Sequence, residues 1–182
     1  MRIRPFGVEQ WMNAHETRCR WNLAETCVDS LTVGQLLDLA GAPPDALREL
    51  LPMKLTYGAI EGSDRLRTAI AGLYTAQAPS SVLVAHGAIG ANALVYQALV
   101  EPGDRVVSLV PTYQQHTAIP ESLGAEVRTV ALRAADGFQP DVDAVRRALG
   151  GAARLLVLAN PNNPTGALVD GVSASPTCVR PR

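Results

Sequence analysis

Two short stretches of this chain bring together groups able to act on a ligand at close range. Asn160-Pro-Asn-Asn-Pro-Thr-Gly166 offers the side-chain amides of Asn160, Asn162 and Asn163. It follows the apolar run Leu155-Leu-Val-Leu-Ala159, which reads as a buried strand. Two Asn-Pro steps and a closing Gly turn the backbone sharply at that strand's end, and in open α/β sheets that edge is where ligands bind. The stretch therefore reads as a binding element, with reactive groups located elsewhere. The competing reading is a turn whose asparagines bond their own backbone, and it is preferred for Asn160 and Asn162. The second stretch, His86-Gly-Ala-Ile-Gly-Ala-Asn92, lies between a strand and a helix and is made mostly of small residues. Backbone N–H groups and the dipole at a helix N-terminus favour an anion, so a phosphate fits on the amides of Ala88 and Ile89. A tight turn that needs glycine for packing is the competing reading. His86 and His116 are acid–base candidates by residue type.

The elements that position these stretches follow from periodicity and caps. Residues 7–18 have helical spacing through Val8, Trp11, Met12 and His15, and Thr32–Ala40 and Pro43–Leu51 read as two short helices. Ser63 is the predicted N-cap of a helix running to Ala76, with Leu66, Ile70, Leu73 and Tyr74 on one face. From there strand and helix alternate: strand Val82–Ala85, helix Gly90–Leu99, strand Arg105–Val110, helix Tyr113–Leu123 irregular at Pro120, strand Glu126–Leu132, helix Asp141–Leu149, strand Arg154–Ala159. That recurrence has the length of βαβ units and predicts a three-layer α/β/α fold on a mostly parallel sheet, preceded by N-terminal helices. Trp11 and Trp21 are expected to be packing anchors. Asp170–Arg182 is polar, contains two prolines and loses the pattern; it reads as a flexible tail or, preferred, as residues following a truncation or frameshift.

Composition narrows the function classes. A chain of 182 residues, 47% hydrophobic, with net charge −1, suits one soluble globular domain or part of a larger one. The near-zero charge argues against a nucleic-acid or membrane-surface role, the apolar runs are too short to span a bilayer, and Met1-Arg-Ile-Arg-Pro-Phe6 has no signal-peptide core. Cys19, Cys27 and Cys178 form neither a zinc pattern nor a disulfide framework, which points to a reducing cytoplasm.

Five segments together carry a family resemblance. Tyr57-Gly-Ala-Ile-Glu-Gly62 with Leu66-Arg67, then Val82–Gly90, Pro102-Gly-Asp104, Val110-Pro-Thr-Tyr113 and Asn160–Gly166 resemble, in order and spacing, the class I/II aminotransferases. These are the fold-type-I enzymes that use pyridoxal 5′-phosphate (PLP). The likeness covers residues 20–169. It implies that the loop of Ala88 and Ile89 holds the cofactor phosphate, without the hydroxyl or Lys that many members place there. It further implies that Tyr113 stacks on the pyridine ring and that Asn163 bonds the ring oxygen. The resemblance likewise implies that Tyr57 reaches the phosphate of the partner subunit in a homodimer. The competing readings are a surface tyrosine for Tyr113, a turn asparagine for Asn163 and a core tyrosine for Tyr57. Asn22–Thr26 lies where members cross the substrate carboxylate, but their usual glycine is absent. Trp11–Leu36 is loosely similar to members that build unusual arginine-derived residues.

The resemblance also implies what is lacking. The only lysine is Lys54, three residues before Tyr57, and PLP chemistry needs a lysine amine for its Schiff base. No catalytic residue is assigned: the tethering Lys, the Asp that pairs with the pyridinium nitrogen and an Arg for substrate carboxylate would lie beyond residue 170. The implied organisation is a helical arm over 1–52, a partial PLP-binding domain over 53–169 and the tail 170–182. The implied sheet order sets the strands at 126–132, 105–110 and 154–159 side by side and leaves Val82–Ala85 unpaired, so this chain alone is expected to aggregate. The leading function is amino-group transfer from an amino acid to a 2-oxo acid, with this chain alone inactive. The alternatives are a truncated paralogue that only binds or dimerises, or a related PLP lyase or cyclase. A nucleotide-binding domain is disfavoured because G-x-G-x-x-G and G-K-[ST] are missing.

Overall fold

The computed structural model describes residues 2–24 and 27–169; Glu25 and Thr26, and the tail 170–182 with Cys178, lie outside the described residues. In chain order the elements are α1 (Gly7–His15), α2 (Val33–Leu39), α3 (Asp64–Ala71), α4 (Gly87–Leu99), β1 (Arg105–Val110), α5 (Gln115–Ser122), β2 (Glu126–Ala131), α6 (Val142–Leu149) and β3 (Ala153–Val157). Short 3₁₀ turns occupy Ala46–Leu50, Pro79–Ser81 and Ala134–Asp136. The chain divides into two compact units, Met1–Asn22 with His86–Arg182, and Leu23–Ala85, whereas the sequence organisation sets its boundary at 52/53.

The first unit is built around a three-stranded parallel sheet in the order β2-β1-β3, the adjacency implied for these strands. Central β1, Arg-Val-Val-Ser-Leu-Val, is apolar almost throughout because both its faces are covered. Successive side chains of a strand point to opposite faces. Val106 joins Tyr96, Val100 and Ile119 on the face covered by α4 and α5. Val107 joins Leu109, Val130 and Leu132 on the other face, against Ala144, Val145 and Leu149 of α6. Both valines are fully buried, and each such burial stabilises the fold by about 1.5–3 kcal/mol. Helix α6 starts where the Asp141 carboxylate accepts the N–H groups of Asp143 and Ala144 at 2.9 and 3.0 Å, and stops at left-handed Gly150. Pro120 stays inside α5, fully buried.

The Leu23–Ala85 unit is held differently. Thr32 and Gln35 form a reciprocal capping box at the start of α2, and the Ser63 hydroxyl caps α3. The Arg67 guanidinium is the hub: Nε donates to the carbonyls of Pro79 (3.1 Å) and Val82 (3.0 Å), and Nη1 pairs with Glu61 at 2.9 Å. Gly62, at φ +100°, lies so close to Val84 that a Cβ would come within 2.5 Å of its Cγ2, which leaves glycine as the residue that fits.

Several expectations are corrected here. Val82–Ala85 is not a strand: the Val84 N–H donates to the Glu61 carbonyl at 3.0 Å, and no described strand lies beside it to form a ladder. Among the described residues the sheet therefore has three strands, not four. The helix after Ser63 ends at Ala71, because the N–H groups of Leu73 and Tyr74 turn to the carbonyls three residues back. Leu66, Leu73 and Tyr74, three of the four residues expected on its one apolar face, are exposed. Pro43–Leu51 shortens to the 3₁₀ turn Ala46–Leu50. Trp11 and Trp21 are exposed and contact His15 and Arg20.

Candidate functional site

Three loops meet at the C-terminal edge of the sheet, and two buried amides join them. The first loop opens α4. Gly87 takes a left-handed φ of +68° with open space around it, a conformation that favours glycine. His86 at the N-cap offers no side-chain bond, and Ala88 is exposed. Among the described residues, the first-turn amides of α4 are therefore unclaimed by a capping side chain. The second loop, Pro111–Gln114, continues β1 into α5. Gln115, only 1% exposed, donates from Nε2 to the Ile89 carbonyl at 2.8 Å and accepts at Oε1 from Asn92 at 3.2 Å, bracing the first loop against the second.

The third loop, Asn160–Gly166, is braced by Asn162. Its side chain is buried and donates to the Pro111 carbonyl at 3.1 Å and to Thr165 Oγ1 at 2.9 Å. Its backbone closes the loop, donating to Ala167 at 2.8 Å and accepting from Gly166 at 2.7 Å. Asn160 Oδ1 accepts the Val169 N–H at 3.0 Å. Asn160 and Asn162 thus bond their own loop, and Asn162 also anchors the neighbouring one. Asn163 beside it is exposed, and its side chain makes no hydrogen bond among the described residues. Tyr113 sits between the two braces, two residues from each of Pro111 and Gln115, so Ile89, Tyr113 and Asn163 are carried by loops that are tied together.

Tyr113 is half-buried, and its hydroxyl donates to Glu9 Oε1 at 2.9 Å. The Phe6 ring stands nearly perpendicular to it at 84°, centroids 5.9 Å apart. Burial, and then the bond to the Glu9 carboxylate, push the phenol pKa above its ordinary value. Among the described residues, Thr112 Oγ1 is buried without a hydrogen-bond partner. Tyr57 and Lys54 belong to the Leu23–Ala85 unit and are exposed there, Tyr57 fully.

His116 is a core histidine instead of an acid–base group at the loops. It is buried with Nδ1 2.7 Å from the Tyr96 hydroxyl; burial lowers its pKa and pushes Tyr96 up to about 12. His86 is exposed at the head of α4. Sequence reasoning missed the roles of Gln115, Asn162 and Glu9; the one available signal was a pair of adjacent glutamines at the start of a helix that packs on the sheet. Among the described residues, no group of three His, Cys, Asp or Glu is gathered as a metal site requires, and no helix is long and apolar enough to cross a membrane.

Comparison with known proteins gives concordant matches. The family model described as aminotransferase class I and II matches residues 28–171. Capreomycidine synthase of Streptomyces vinaceus is 34% identical over 163 residues, 90% of this chain and 42% of that protein. Aspartate/prephenate aminotransferase of Thermus thermophilus is 33% identical over 68% of this chain and 33% of its own length. Among solved structures, a PLP-dependent aminotransferase from Streptococcus suis superposes with a TM-score of 0.90 at 41% identity, covering 95% of this chain and 46% of that one. The chain thus spans less than half the length of these relatives.

Proposed function

This chain is a member of the class I and II aminotransferase family, and on that premise we propose that it provides the phosphate cradle and ring platform of a PLP-dependent aminotransferase. The transfer runs from an amino acid to a 2-oxo acid, both small molecules. The unclaimed amides of Ala88 and Ile89 hold the cofactor phosphate at the N-terminus of α4. Tyr113 backs the ring, and the free Asn163 amide bonds the ring oxygen. These groups suit the cofactor: an uncapped helix start for its dianion, an aromatic face for its ring, an unpaired amide for its oxygen. When bound, PLP supplies an electron-poor ring that accepts negative charge from the substrate. The chain's residues bind and orient that ring. Lys54, the only lysine, lies outside all three loops, so the amine that tethers the cofactor is not one of the groups they offer. Tyr57 contributes across a two-fold dimer to the partner's phosphate, and the enzyme works in the cytoplasm. The observation that carries this reading is the pair of braces, Gln115 to Ile89 and Asn162 to Pro111, on either side of Tyr113.

Titrating the chain with PLP, followed by absorbance, tests the reading. Saturable binding is expected, competed by inorganic phosphate, with Tyr113→Ala and Asn163→Ala each weakening it by about threefold to tenfold, the loss of one ring stack or hydrogen bond. Absence of saturation, or variants that bind like the unmodified chain, contradicts it. A second reading, a PLP-dependent synthase or cyclase, is favoured by one observation: the relative aligned over 90% of this chain is named a synthase. Turnover of an amino acid by the full-length enzyme with no 2-oxo acid present would support that reading.

A further inference from the structure

Residues 4–9 lie along the loop and helix that carry Tyr113. Gln114 holds this segment at two backbone points, donating from Nε2 to the Pro5 carbonyl at 2.8 Å and accepting the Gly7 N–H at 3.0 Å. Gly7 is the first residue of α1, so the second bond satisfies an amide that the helix itself leaves without a partner. Arg4 extends the contact, pairing with Glu121 at 2.8 Å and donating to Thr117 Oγ1 at 3.3 Å. Glu9, in the first turn of α1, is thereby delivered to the Tyr113 hydroxyl at 2.9 Å, with Phe6 against the same ring. A half-buried tyrosine in the loop ahead of a helix keeps rotamer freedom unless its neighbours remove it. A carboxylate acceptor at the tip and a perpendicular ring at the side remove it.

We propose that residues 4–9 form a strap in which Glu9 is a positioning residue: its carboxylate fixes the Tyr113 phenol and so sets the tilt of the surface presented to the cofactor ring. The proposal rests on reading Tyr113 as that surface. Glu9 does not touch the cofactor; it acts through the phenol. The strap also links the N-terminal segment to cofactor affinity, because loosening it frees the ring that the cofactor must lie against.

The test uses the full chain with Glu9→Ala, Glu9→Gln, Tyr113→Phe and the double variant Glu9→Ala/Tyr113→Phe. PLP and inorganic phosphate are titrated separately, and the Tyr113 ring is followed by NMR without ligand. Glu9→Ala should shift the Tyr113 ring signals and weaken PLP binding by about threefold to tenfold, the loss of one hydrogen bond. Phosphate affinity should stay unchanged, since phosphate reads only the start of α4. Glu9→Gln keeps an oxygen acceptor and should restore most of the affinity. In the Tyr113→Phe background the Glu9→Ala change should cost nothing further, the signature of two residues acting as one. PLP saturation that is equal with and without Glu9→Ala overturns the strap alone. A Glu9→Ala loss of the same size with and without Tyr113→Phe, or phosphate affinity falling in parallel, overturns it too. No PLP saturation by the unmodified chain overturns the reading of the site, and the platform role of the strap with it.

Discussion

Val106 and Val107 in β1 lose all contact with water, while Leu55 and Tyr57 in the Leu23–Ala85 unit keep theirs entirely. In that unit Ala71 is the one buried residue among the described residues. Its order comes from a capping box, a serine cap and a guanidinium that gathers two carbonyls and a carboxylate. The sheet unit is held by apolar burial on two faces. Polar staples can define a local conformation, but burial makes a transition cooperative, because each apolar contact depends on the others. The site follows that division. Ala88 stands at the head of α4, which packs on the buried sheet, and the loops of Tyr113 and Asn163 follow β1 and β3, whereas Tyr57 is fully exposed in the other unit.

The contrast can be broken most severely in β1. Val107→Asp places a carboxylate where no water or partner reaches and should cost more than about 4 kcal/mol. Leu55→Asp, at a fully exposed position, should stay within about 0.5 kcal/mol. Denaturant unfolding in dilute solution measures both; dilution matters because Leu156 and Leu158 are exposed at and just beyond β3, whose outer edge is unpaired among the described residues. Equal effects would erase the distinction between the units.

Arg67→Ala comes next. It removes the donors from two carbonyls and should cost about 1–3 kcal/mol locally. Amide hydrogen exchange should quicken over 60–84 and stay unchanged over 105–157; a uniform response would mean that one cooperative core spans both units.

The pH dependence of the sheet unit sharpens the picture. Burial holds the native pKa of His116 below its unfolded value of 6.5. Between those two values the unfolded chain binds more protons, so the stability present above pH 6.5 is lost as pH falls toward the native pKa. Unfolding midpoints should decline on acidification through that window, and His116→Gln should remove this part of the slope. A small and purely local effect belongs to Thr32→Ala, which dissolves the capping box. It should reduce α2 helicity by the equivalent of about 1 kcal/mol without moving the midpoint of the sheet unit, as circular dichroism would show.

What the sequence revealed follows the same physics. Arg105–Val110 was legible to the residue because a strand covered on both faces writes itself as a nearly continuous apolar run, here broken only by Ser108, between a charged residue and a proline. The helix expected over Asp141–Leu149 forms as α6, with Asp141 serving as its N-cap and Gly150 closing it. Val82–Ala85 carries the same apolar signal yet forms no strand, since a strand requires a neighbour and no residue pattern supplies one. The start of α4 and the closed loop of Asn160–Gly166 were readable as local turns. Gln115, Glu9 and the reach of Asn162 to Pro111 were not, because each is a contact across 26, 104 and 51 positions, and side-chain identity does not encode a partner at that distance.

The most direct test of the site is an amide NMR map of the labelled chain. Adding PLP should move the backbone amides of Ala88 and Ile89, the Asn163 side-chain amide and the Tyr113 amide along one common saturation curve, while inorganic phosphate should move Ala88 and Ile89 alone. Signals that saturate at different PLP concentrations, or Asn163 and Tyr113 resonances that stay still while Ala88 responds, would show that the three loops do not form one cofactor site.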